Sequence, residues 1–273
     1  MNCVMPYAIF TDIDGTLLNE CYALPFDRAI LQRAFEQHRV VFASSRTADE
    51  LVHLQRRLGV SGDCIIENGG ALLLRETSTA EQFATSQLFN IENDSVWIAP
   101  LVEPVENFMD DVQRETKRHN LACRFLQDLD DETLAAMSGY EQDDARRAKS
   151  RRFGILLVPN GESNARIKKL TDGLKLLDFT ITFGGKWLTI SRGADKGVAM
   201  KEYLGAMQKK GVLFTSVAIG NEENDLTMLE AAHKKFVIKN PTRGYASRLA
   251  SVTGATLLKQ DGALGWTEML AQL

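Results

Sequence analysis

Asp12 and Asp14 stand two residues apart in Thr11-Asp12-Ile13-Asp14-Gly15-Thr16, directly after the apolar run 7–10. Residues i and i+2 of an extended segment project to the same side, so both carboxylates can address one site while Gly15 lets the chain turn behind them. Two acids this close repel, and a hard cation is the usual remedy. A bare Asp-x-Asp is an ordinary solvated turn; its place at the end of an apolar strand near the N-terminus makes chemistry the better reading. A second group of acceptors lies at 221–225, Asn221-Glu222-Glu223-Asn224-Asp225, again at the end of an apolar run. Between them come Ala43-Ser44-Ser45-Arg46-Thr47, whose hydroxyls and N–H groups suit either a phosphate or a helix N-cap, and Glu67-Asn68-Gly69-Gly70, which reads equally as a turn or a substrate loop. Lys196 in Gly193-Ala194-Asp195-Lys196-Gly197 is either a solvated helix start or a cation facing a transferring phosphoryl group.

The elements that must carry these residues follow from hydrophobic period. Apolar runs at 7–10, 40–44 and 64–68 alternate with helical patterns at 26–38 and 47–59, the second opened by a Thr47/Glu50 capping box. Residues 196–273 repeat that rhythm, with strands at 216–220 and 235–239 and helices at 196–211, 224–233 and 265–273. Strands alternating with helices predict an α/β fold with a doubly wound, Rossmann-like parallel sheet, whose ligands bind beyond the carboxyl ends of the strands. Helical patterns at 104–119, 130–139, 145–152 and 162–177 and strands at 153–158, 179–185 and 186–191 break the rhythm, with Gly184-Gly185 as a turn. The expected organisation is therefore a core of residues 1–85 and 191–273 and an α+β insertion at 86–190. Lys186 and Trp187 at its exit are candidate substrate contacts or a packed hinge pair.

Composition narrows the function classes. The 273 residues are 44% hydrophobic and 25% charged, with a formal net charge of -4, ordinary for a globular protein and contrary to a nucleic-acid footprint. Arg146, Arg147, Lys149, Arg151 and Arg152 read as a solvated helix face. The four cysteines are scattered, and the four histidines lie in helical patterns away from the strand ends, so neither zinc site nor disulfide framework is expected. No apolar run is long enough to span a bilayer, and the first residues lack a signal-peptide pattern; the expectation is a soluble, cytoplasmic protein without membrane or nucleic-acid partners. The oligomeric state is not legible. Dinucleotide, P-loop and nucleophile-elbow patterns are absent.

Taken in order, the segments Phe10-Thr-Asp-Ile-Asp-Gly-Thr, Ala43-Ser-Ser-Arg-Thr, Gly193-Ala-Asp-Lys-Gly and Gly220-Asn-Glu-Glu-Asn-Asp-Leu resemble the four motifs of the haloacid dehalogenase (HAD) superfamily of phosphatases, in members carrying an α+β cap between the second and third. Ser44-Ser45, the segments 126–139 and 67–72, and Gly265-Trp266 look like the mannosyl-3-phosphoglycerate phosphatase branch. The resemblance implies Asp12 as nucleophile through an aspartyl-phosphate, Asp14 as general acid and base, and Ser44, Ser45, Lys196 and Asn224 around the phosphate. It further implies Mg²⁺ held by Asp12, the Asp14 carbonyl and the fourth motif through Asn221 and Asp225, with Asn68 and Lys186 near a phosphorylated sugar or glycosyl-glycerate. A sugar-phosphate phosphatase of broader range and a phosphomutase share this pattern.

One position departs from it. The fourth motif normally starts Gly-Asp, and here Asn221 stands at the acid's position. An amide oxygen coordinates a hard cation but adds no negative charge. The expectation is either weaker Mg²⁺ binding with activity kept, or a protein that binds a phosphosugar without turning it over.

Overall fold

The computed structural model describes residues 7–139, 141–159, 161–184 and 187–273. Gly185 and the candidate contact Lys186 lie outside them. Nine strands form the larger sheet: β1 (Tyr7–Thr11), β2 (Arg39–Ala43), β3 (Cys64–Ile66), β4 (Ala71–Leu74), β5 (Gln87–Ile91), β6 (Asp94–Pro100) and, after the cap, β11 (Thr215–Gly220), β12 (Lys234–Lys239) and β13 (Ala255–Asp261). Their spatial order is β13-β12-β11-β1-β2-β3-β4-β6-β5. The six from β13 to β3 are parallel, and β4, β6 and β5 continue antiparallel.

The parallel strands read as unbroken apolar runs because both faces are covered. Ile9, Val40, Phe42, Val217 and Ile219 pack on one side with Leu31, Leu51 and Trp266. Ala8, Phe10, Val41 and Ala218 face the other side, against Met200, Tyr203 and Met228. This is the burial expected of a parallel sheet between two helix layers. The chain leaves β1 toward β2 and β3 in one direction and returns to β11, β12 and β13 in the other, so the order reverses beside β1 and opens a crevice at the strand ends.

The smaller sheet is antiparallel, with β7 (Cys123–Phe125), β8 (Ile155–Pro159), β9 (Thr180–Gly184) and β10 (Trp187–Ser191) in the order β7-β8-β10-β9. Ile155, Leu157, Leu188 and Ile190 turn to one face, under Val112 of the helix Met109–Arg118 and Leu170 and Leu174 of the helix Asn164–Leu176. The alternate residues Leu156, Trp187 and Thr189 turn toward the core. This sheet with its helices is the expected α+β cap, but the insertion begins later than residue 86. Strands β5 and β6 are hydrogen-bonded into the large sheet, and the cap starts only after Pro100.

Candidate active site

The strand ends bring the motifs together. Asp12 follows β1 with 6% of its surface exposed, and its main-chain N–H donates to the Ile219 carbonyl at 3.1 Å, tying it to the end of β11. Lys196, at the N-terminus of the helix Lys196–Lys209, lies 1% exposed between two carboxylates; Nζ donates to Asp12 Oδ1 at 2.8 Å and to Asp225 Oδ1 at 2.6 Å. Burial alone would push the ammonium's pKa down, but Asp12 and Asp225 outweigh it and hold the pKa above the ordinary lysine value. Burial pushes the Asp12 carboxyl up to about 7, with Asp225 and Asp14 acting in the same direction and Lys196 opposing. Lys196 is therefore a buried cation between two carboxylates and not a solvated helix start.

Asp14 lies at the crevice, gripped by Arg46, whose Nε and Nη2 donate to its two oxygens at 3.1 and 2.7 Å. Ser44 is fully buried and its Oγ accepts the Arg46 N–H at 3.2 Å, while the Thr47/Glu50 capping box starts the following helix. Asn68 has a left-handed backbone, φ 60°, and its Oδ1 accepts from Asn224 Nδ2 at 3.1 Å, which links the third strand end to the fourth motif. Asp12, Asp14, Ser45, Asn68 and Asn224 line one cavity of about 780 Å³ between core and cap, within the usual range for small-molecule sites. Trp187 closes it from the cap side.

Two residues of the fourth motif behave differently from each other. Asp225 Oδ1 accepts from Lys196 Nζ, and Oδ2 accepts the N–H groups of Asn221 and Glu222 at 3.0 and 3.2 Å. Both oxygens are thus engaged in shaping the loop and holding Lys196. Asn221 donates through Nδ2 to the Asp14 carbonyl at 3.3 Å, while its Oδ1 is buried without a hydrogen-bond partner. Gly15, with φ +78°, lets the chain pass this amide, since a Cβ there would meet Asn221 Nδ2 at 2.3 Å. A buried oxygen without a donor is costly, and a cation beside it would remove that cost. The oxygens of Asp12, the Asp14 carbonyl and Asn221 are the hard donor set Mg²⁺ takes. Among the described residues no three His, Cys, Asp or Glu side chains form a metal cluster, so this set relies on a single carboxylate.

Two features escaped the sequence reading. Glu67, 2% exposed and with a left-handed backbone, accepts N–H groups from Arg152, Phe153 and Gly154 at 2.8–3.0 Å and so ties the core to the base of β8. Burial raises its carboxyl pKa, with Arg151 and those N–H groups opposing. Around it, Thr47 Oγ1 donates to the Arg147 carbonyl, Ser150 Oγ to Asp49, and Arg151 Nη1 to the Ser45 carbonyl. The basic run is thus a docking segment and not wholly a solvated helix face, although Arg146 is exposed as expected. Glu67→Ala strands three N–H groups and is expected to lower unfolding stability by about 3 kcal/mol, read from urea denaturation; an unchanged midpoint would exclude Glu67 as the clasp.

A family model described as haloacid dehalogenase-like hydrolase matches residues 9–257. The chain belongs to this family. It is similar to a glucosyl-3-phosphoglycerate/mannosyl-3-phosphoglycerate phosphatase of Persephonella marina, at 26% identity over 96% of this chain and 95% of the relative. A protein of the same description from Methanococcoides burtonii is 24% identical over 98% and 97%. Among solved structures, a phosphatase of the haloalkanoate superfamily from Bacteroides thetaiotaomicron superposes with a TM-score of 0.67 at 16% identity, covering 99% of this chain and 96% of the other. The haloacid dehalogenase-like fold expected from the motifs is thereby established, and with it an enzyme of the phosphatase kind. No described helix is long and apolar enough to cross a membrane.

Proposed function

We propose that this haloacid dehalogenase-like enzyme is a Mg²⁺-dependent phosphomonoesterase acting on a glycosyl-3-phosphoglycerate, with mannosyl-3-phosphoglycerate the leading candidate. The observation that carries the chemistry is Lys196, buried against the Asp12 carboxylate at 2.8 Å beneath the cavity. The substrate class rests on the two relatives that bear that description and on a cavity large enough for a sugar. When bound at Asp12, the Asp14 carbonyl and Asn221, Mg²⁺ would supply positive charge against the repulsion between a carboxylate and a phosphate.

The residues divide the reaction between them. A carboxylate oxygen of Asp12 attacks phosphorus, forming the acyl phosphate as the ester P–O bond breaks, and Asp14 gives its proton to the departing oxygen. Asp14 then takes a proton from water, whose oxygen attacks the same phosphorus. The P–O bond to Asp12 breaks, orthophosphate leaves and Asp12 is regenerated. Lys196 keeps Asp12 in line and offsets charge on the phosphoryl group, Ser44 and Ser45 present the second strand end to it, and the docked cap limits bulk water. Arg46 fixes where Asp14 points between the two proton transfers.

The test is phosphate release from mannosyl- and glucosyl-3-phosphoglycerate and simple hexose phosphates, with Mg²⁺ and with chelator. Preference for the glycosyl-glycerates with loss of activity on chelation is the expected result; equal rates across hexose phosphates would favour a broad sugar-phosphate phosphatase, and a requirement for a sugar bisphosphate a mutase. Asn221→Asp adds the missing charge and should lower the Mg²⁺ concentration for half-activity roughly tenfold. The same change sets a carboxylate oxygen against the Asp14 carbonyl, so metal-free protein should melt lower and gain more from Mg²⁺ in a thermal-shift titration. An unchanged Mg²⁺ midpoint would remove Asn221 from the metal site.

A further inference from the structure

We infer that Arg151 binds a carboxylate on the leaving group of the phosphate ester, making the cavity selective for acidic phosphomonoesters over neutral ones. This rests on the phosphatase reading above and adds to it a residue that sets specificity.

Arg151 faces the buried Glu67 carboxylate at 4.0 Å, but its hydrogen bonding is incomplete. The Arg151 side chain is only 9% exposed, yet the acceptor within hydrogen-bond distance of it is neutral, the Ser45 carbonyl at 2.9 Å from Nη1. Its Nε is buried with no partner. Glu67 lies 4.0 Å away, but its oxygens are taken up by the N–H groups of Arg152, Phe153 and Gly154. Removing a guanidinium from water is expensive without an anion and full hydrogen bonding. The other cavity-lining cations are already matched, Arg46 by Asp14 and Arg243 by Glu222. Among the described residues that line the cavity, Arg151 is the cation whose bonding an incoming anion would complete.

Its placement says which part of a substrate that anion belongs to. The phosphoryl group has its own cation in Lys196, beneath Asp12. Arg151 comes from the cap, in the segment leading into β8, and reaches the core at Ser45. It therefore lines the cavity from the cap while touching the core at Ser45, and on the phosphatase reading the alcohol portion of a substrate would project from the core toward the cap. A planar guanidinium matches a carboxylate fork better than a lysine would, and in a 3-phosphoglycerate unit a carboxylate lies within the same three-carbon skeleton as the phosphate ester.

Equilibrium binding separates this inference from turnover. In full-length Asp12→Asn protein, 3-phosphoglycerate should bind about tenfold or more tightly than glycerol 3-phosphate, which has a hydroxymethyl group in place of the carboxylate. Adding Arg151→Met should bring the two within about twofold, Arg151→Lys should keep part of the preference, and orthophosphate affinity should be unchanged in both. No preference in the parent, a preference that survives Arg151→Met, or an equal loss of orthophosphate affinity would overturn the assignment, the last marking Arg151 as a phosphate ligand or a structural tie. If the Met variant does not fold, Arg151→Gln, which keeps a donor for the Ser45 carbonyl, carries the same comparison. A protein that shows the preference but releases no phosphate from any ester would refute the phosphatase reading and leave this one standing.

Discussion

Asp12→Asn should reduce phosphate release by at least ~10³-fold, to background in a standard assay, with the fold intact. An amide cannot form the acyl phosphate, and the two carboxylates beside it, Asp225 and Asp14, are otherwise engaged. Asp225 is fully buried and spends its oxygens on Lys196 and two N–H groups, while Asp14 is held by Arg46. The same variant has a stability signature in metal-free protein. The Asp12 carboxyl is raised in the fold from 3.8 to about 7, so the unfolded chain releases its proton first as pH rises. Wild-type stability from this group is therefore lost progressively between pH 4 and 7 and stays lost above. The exchange also takes one of its two carboxylate partners from Lys196, but Asn at position 12 has no proton to lose. The stability of Asp12→Asn relative to wild type should accordingly rise across that interval and level off above it, as read from urea midpoints at several pH values. Substantial turnover by Asp12→Asn would dispose of the nucleophile assignment.

What could be read from the sequence, and what could not, follows from the range of the interactions. The parallel strands were legible because a strand covered on both faces is an unbroken apolar run, and the capping box at Thr47 and Glu50 because it is closed within four residues. Asp12, Lys196 and Asn221 were legible because each lies beside a strand end or a glycine that fixes its local backbone. The hairpin of β5 and β6 was not legible, because its turn, Glu92-Asn93, has positive φ at both positions without the glycine that usually marks such a turn. Glu67 and Arg151 were hidden for another reason. Their roles arise from partners 85 to 87 and 106 residues away, across the border between core and cap, and a charged residue in a basic run looks the same whether it is solvated or buried. Asp225 was legible as part of the motif, but the direction of its oxygens depends on how the 221–225 loop closes on itself.

Lys196→Met should cost about 3–5 kcal/mol of unfolding free energy at neutral pH, together with nearly all activity. Methionine keeps most of the apolar stem, so the loss is chiefly electrostatic. It leaves Asp12 and Asp225, 6% and 0% exposed, without the ammonium that bridges them at 2.8 and 2.6 Å. Two buried carboxylates without a cation can persist only if one takes a proton, and that becomes harder as pH rises. The stability gap to wild type should therefore widen from pH 5 to pH 8, where a gap from lost packing alone would be flat. A second substitution separates charge from shape. Asp225→Asn removes one of the facing charges and keeps an oxygen for the N–H groups of Asn221 and Glu222, so it should return part of the stability of Lys196→Met. It should not return activity, because the cation that orients Asp12 and offsets the phosphoryl charge is still missing. The four midpoints of this double-mutant cycle give the coupling directly. A Lys196→Met protein as stable as wild type at pH 8 would mean that the two carboxylates do not depend on Lys196, and would remove the electrostatic basis of the site.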